Sequence, residues 1–146
     1  MSAPYTVTNE GIGGGPFLTM TIIDDGDKGF TQDDIENNTT ACIVSGNNEV
    51  SKGSSGDKLF GKVVWVSTDL VPGTTRPATC AVQARGVARF SVGSPAPTVN
   101  GMVEVNGAGK AIKASAATDI PAGGHLHRGQ VIAVNSGDCT CDVWLG

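Results

Sequence analysis

The sequence predicts an all-β fold: a single-domain antiparallel β-barrel or β-sandwich with an extended N-terminal arm and at most one short helix. Three observations carry this expectation. Short β-type runs alternate with Gly, Pro and Asn turn signals from end to end, the spacing of a sandwich or barrel. No long segment repeats its apolar residues with a period near 3.6, so neither a coiled coil nor a wound α/β fold is expected. The 146 residues suit one domain.

In order along the chain, residues 1–16 read as an arm. A β-prone piece, Tyr5–Thr8, precedes a flexible joint, Gly11-Ile12-Gly13-Gly14-Gly15-Pro16. The β domain is expected over 17–146. Its strands are predicted at Phe17–Ile23, Ala41–Ser45, Leu59–Val66, Thr79–Val92, Thr98–Val105, Lys110–Lys113, Gly124–Val134 and Cys139–Leu145. Thr31-Gln32-Asp33-Asp34 resembles a capping box and predicts about two helical turns to Asn38. Ser51–Asp57 reads as a Ser/Gly-rich surface loop. Val99-Asn100-Gly101, Val105-Asn106-Gly107 and Val134-Asn135-Ser136-Gly137 read as hairpin turns, because Asn-Gly tolerates positive φ.

Composition narrows the function classes. Net charge is −4, and no two Lys or Arg residues are adjacent. The basic stripe that neutralises phosphates is missing, so no nucleic-acid partner is expected. No apolar run approaches the ~20 residues that span a bilayer, and no membrane partner is expected. The first residues lack a signal-peptide pattern, which predicts synthesis in a reducing cytoplasm with the four cysteines as thiols. Aromatics are 5% and glycines number 21, material for a thin core. Such a chain gains from surface buried against neighbours.

Two constellations carry possible metal chemistry. His125, His127, Cys139 and Cys141 offer two nitrogens and two sulfurs for tetrahedral zinc. A two-residue Ser136-Gly137 loop, or a four-residue Asn135–Asp138 loop, places Val134 opposite Cys139 and Ile132 opposite Cys141, and gathers Ile132, Val134, Cys139, Cys141, Val143 and Leu145 on one apolar face. The histidines then point to the other face unless a bulge at Arg128-Gly129 turns them back. Buried thiols and surface imidazoles are therefore preferred over zinc. A Cys139–Cys141 disulfide is disfavoured by the spacing of same-face strand neighbours.

Asp25, Asp27, Asp33 and Glu36 match positions one, three, nine and twelve of a calcium loop. Phe30 stands where the loop's turn glycine belongs, however, so a solvated acidic turn is the preferred reading. The glycine motifs Gly11–Pro16 and Gly107–Ile112 lack the residues that nucleotide-binding fingerprints need. No nucleophile elbow or convergent acid/base pair is evident. The expectation is a protein without enzymatic activity, catalytic residues, metal or cofactor.

From roughly Leu59 to Gly146, about three-fifths of the chain, the succession FGKVVWVSTD, CAVQARGVARFSV, APTVNGMVEVNGAGKAI, IPAGGHLHRGQVIAVN and CDVWL resembles the small β-rich capsid decoration, or cement, proteins of tailed bacteriophages. The likeness lies in turn-and-strand order, and no residue of chemical function transfers with it. It implies a structural virion protein, commonly a homotrimer, on the outer surface of an expanded capsid, clamping neighbouring subunits of the major capsid protein. Localisation would be the virion, after synthesis in the host cytoplasm. Tyr5, Thr6, Val7 and Thr8 would bind a partner by adding a strand to a neighbour's sheet edge.

The alternatives are another virion component, such as a tail or fibre part, a carbohydrate-binding β module, or a small metal-dependent enzyme. Trp65 or Trp144 exposed on a sheet face would favour the sugar binder.

Overall fold

The computed structural model describes residues 17–114 and 128–146, and these form an all-β structure with no α-helix among them. Two β units lie back to back. The first is a closed five-stranded barrel in the order β1 (Leu18–Ile22), β3 (Glu49–Ser51), β2 (Thr40–Gly46), β5 (Gly61–Val66) and β6 (Thr79–Gln83). It closes where β1 runs antiparallel to β6, pairing Met20 with Cys80. Only β1 and β3 are parallel, Ile22 facing Val50.

The second unit is a curled antiparallel sheet ordered β4 (Ser55–Lys58), β8 (Met102–Asn106), β10 (Arg128–Asn135), β11 (Thr140–Trp144) and β7 (Val87–Ser91). The short β9 (Ala111–Lys113) pairs with β8. The sheet curls far enough that Val92, just past β7, bridges Ala111 of β9.

Each unit has its own core. Met20, Ile22, Phe30, Cys42, Val50, Val63, Cys80 and Val82 fill the barrel. Leu59, Phe90, Val103, Val105, Val131, Cys141, Val143 and Leu145 fill the concave side of the curled sheet. Strand β2 is the wall between them. Side chains alternate across a strand, so Ala41 joins the second core and Cys42 the first. Main-chain bonds tie the wall in place: Ala41 N–H to the Gly109 carbonyl at 2.8 Å, and Ser91 N–H to the Thr39 carbonyl at 3.1 Å. The approach of β5 to β6 is close at Gly61, where a Cβ would lie 2.3 Å from the Gln83 carbonyl oxygen.

Several boundaries differ from expectation. The predicted Thr79–Val92 run is two strands, broken at Gly86 with φ +78°. There the chain leaves the barrel and enters the curled sheet. Half of the predicted Ser51–Asp57 loop is strand. Edge strand β4 pairs with β8 through Ser55–Asn106 and Lys58–Glu104. It holds no large apolar residue because an edge held by main-chain bonds needs none.

The terminal hairpin also departs from the expected register. Val134 lies opposite Cys141, not Cys139, and Asn135 opposite Thr140. The turn is four residues long, 136–139, one position later than the expected four-residue loop, and the Asn135 side chain closes it, accepting the Asp138 N–H at 3.1 Å and donating to the Asp138 carboxylate at 2.8 Å. Cys139 is thereby held inside the turn at φ +54°. A bulge at Ile132 then brings Val131 onto the core face, while Ile132 and Val134 stay partly exposed.

Candidate functional site

The acidic segment 24–38 is the feature that shapes the barrel's surface. It has no strand partner, yet it is firmly anchored, because Phe30 and Ile35 insert into the barrel core. The capping-box bonds foreseen at Thr31 and Asp34 are present. The Thr31 N–H donates to the Asp34 carboxylate at 2.9 Å, and the Asp34 N–H donates to Thr31 Oγ1 at 3.3 Å. No α-helix follows. The Glu36 and Asn38 N–H groups reach back only three residues, to Asp33 and Ile35, and Asn38 at φ +56° ends the turn. Lys52 fastens the segment from the side, its ammonium 3.2 Å from Asp34.

With Phe30 and Ile35 turned inward, Gln32, Asp33 and Glu36 are left exposed. They form one wall of an open groove of about 740 Å³. The other wall is the barrel: Phe17, Val64, Trp65 and Ala81. A register shift between Val63 and Trp65 makes Val64 an extra residue, and such bulges re-aim side chains. Val63 and Val66 remain in the core, while Trp65 is 51% exposed on the outside. Beyond Gln32 and Asp33 lies a smaller hollow of about 300 Å³ reaching Ser67, Leu70, Thr75 and Pro77. Chemically, the groove offers a π-face, an amide and two carboxylates on a rigid wall, which suits non-covalent binding.

A second surface lies on the convex face of the curled sheet. Residues directly opposite one another share a face, which places Val87, Trp144, Gln130 and Met102 in one row across four strands. Trp144 is 53% exposed and Met102 42%. Gln130 is hydrogen-bonded to Asn100, beside the exposed Val99. In the next row Arg89 grips Asp142 with two bonds, Nε to Oδ1 at 2.7 Å and a terminal nitrogen to Oδ2 at 3.0 Å. Asp142 lies on the outer face of the sheet yet is only 2% exposed, because the guanidinium covers it.

The residues singled out in the sequence fall as follows. Tyr5, Thr6, Val7 and Thr8 lie outside the described residues, as do His125 and His127. The bulge that would redirect the histidines exists at Gly129, φ +86°. The two cysteines of that constellation are in different surroundings. Cys139 is exposed on its turn, its sulfur 3.8 Å from the Ser136 carbonyl. Cys141 is buried, and burial, with a smaller push from the Asp142 charge, raises its thiol pKa to about 12. Cys42 and Cys80 share the barrel core as thiols outside any disulfide, and burial alone raises Cys80 to about 12.

Of the calcium-loop set, Asp25 accepts the Asp27 and Lys28 N–H groups in an Asx turn, whereas Asp33 lines the groove with Glu36. Among the described residues, no three His, Cys, Asp or Glu side chains gather as a metal site would require. Likewise, no helix there is long and apolar enough to cross a membrane.

The groove was missed at the sequence level. Its signal was present in Phe30 and Ile35, two large apolar residues amid polar ones, which mark a segment pinned to a core. Comparison with family models, with curated proteins and with solved structures returned no match.

Proposed function

We propose that this chain is a capsid decoration protein: a non-enzymatic virion component that binds the outside of a phage shell and clamps neighbouring major capsid protein subunits. The observation that supports the reading best is the row Val87–Trp144–Gln130–Met102 on the convex sheet face. Large apolar side chains flanked by a locked Arg–Asp pair resemble an interface core with its polar rim. The strands that present this row lie within the stretch resembling cement proteins. In this reading the protein acts as a homotrimer, and Tyr5–Thr8 adds a strand to a neighbour's edge. Three arms then multiply modest contacts through avidity.

The test is co-sedimentation with expanded capsids, preceded by the mass of the free protein in solution. Binding by the parent, weakened about tenfold or more by Trp144→Ala and again by deletion of residues 1–15, is the expected result. A protein that stays in the supernatant while the capsids pellet, or whose Trp144→Ala and arm-deleted forms bind like the parent, refutes the proposal.

A further inference from the structure

We propose that the groove beside Trp65 binds a neutral carbohydrate chain, on the opposite unit from the convex sheet face and independently of any capsid partner. The indole supplies the first half of recognition. Trp65 stands on the barrel's outer face with Ala81 directly across the strand pair, and a methyl group is too short to cover the ring. The negative face of an aromatic ring attracts the slightly positive C–H groups on the flat side of a pyranose. An exposed tryptophan over a small neighbour is such a platform.

The polar wall supplies the second half of recognition. Gln32, Asp33 and Glu36 project from a segment fixed by Phe30 and Ile35, so they are held on the wall of the groove that the ring also lines. A carboxylate accepts from two adjacent hydroxyls, and an amide both donates and accepts. Vicinal diols match both. A groove of about 740 Å³ lies in the range of small-ligand sites, and the 300 Å³ hollow past Gln32 and Asp33 extends its length. That shape fits a chain of sugars rather than one.

Charge selects within the class. Neither hollow has a Lys or Arg among its described lining residues, and Lys52 is engaged with Asp34. Two carboxylates facing the ligand repel sulfated, phosphorylated and uronic-acid glycans. A cationic peptide is the competing occupant. Its attraction to exposed carboxylates would be weak and salt-screened, and it would leave the amide unused.

The experiment is an array of immobilised neutral glycans covering gluco, manno, galacto and N-acetylhexosamine series, followed by titration of the strongest binder. Trp65→Ala should lower affinity about tenfold or more. Asp33→Asn and Gln32→Ala should each weaken binding severalfold, and Trp144→Ala should leave it unchanged. Raising salt from about 0.05 M to about 0.5 M should alter Kd less than about twofold. All four sites are exposed, so thermal melts should coincide with the parent. The proposal is overturned if no neutral glycan binds, if Trp65→Ala binds as well as the parent, or if a lysine-rich peptide binds instead and is released by salt.

Discussion

Some of the buried polar groups in this protein have measurable signatures. Cys80 and Cys141 keep their protons to about pH 12 in the folded chain, whereas an unfolded thiol releases its proton near 8.5. Above about pH 9 the native state therefore binds more protons than the unfolded one, and stability falls as pH rises. Each thiol contributes up to about 1.4 kcal/mol per pH unit until its folded pKa is reached. Denaturation midpoints should drop between pH 8 and 10.5, and Cys80→Ala with Cys141→Ala should flatten that slope. In the native protein at pH 8, a thiol reagent should label exposed Cys139 first, with Cys42, Cys80 and Cys141 reacting only on unfolding. Rapid labelling of all four would contradict the burial described. Arg89 and Asp142 make a second signature. The Asp142 side chain is 3% exposed, so Arg89→Met should cost about 3–5 kcal/mol by leaving its charge unpaired. Arg89→Met with Asp142→Leu should recover most of that loss in a urea titration.

At the scale of elements, segment 24–38 owes its shape to two anchors rather than to a ladder. Phe30→Ala should cost about 3–5 kcal/mol and loosen the Gln32–Glu36 wall, which protease cleavage within the segment would report. Asp34→Ala, which removes the cap bonds and the partner of Lys52, should cost about 1–2 kcal/mol. Equal sensitivity of the two variants would mean that the anchors matter no more than the cap. The same elements show what the sequence made legible. Strand existence was readable wherever a short β-prone apolar run lies between turn signals, as in Thr40–Gly46 and Gly61–Val66, because such a run must be buried. Edge strand β4 was not readable, since its bonds come from backbone that every residue possesses. Register in the last hairpin failed for a related reason. Counting apolar positions fixed the face of Cys141 and Val143 correctly. The position of the turn, however, depended on the Asn135–Asp138 bonds and the Ile132 bulge, and neither leaves an apolar pattern. For the groove, composition named Trp65, Asp33 and Glu36 separately; only the fold brings them to one hollow.

On the scale of the molecule, the thin composition is reconciled with a folded chain by division into two small cores, each lined mainly by Val, Ala and Cys with one or two phenylalanines. The two proposed binding surfaces fall on different units, Trp65 on the barrel and Trp144 on the curled sheet, so their variants should act additively on stability and separately on ligands. The shared wall has a further result. Residues 41 and 42 belong to different interiors, so β2 cannot peel away or slip along its neighbours without emptying both at once. Heating should give a single transition whose calorimetric and van't Hoff enthalpies agree; two resolved peaks would mean that the halves melt apart. A part built this way does not soften by stages. Under load or heat it holds its outline until it gives way as a whole.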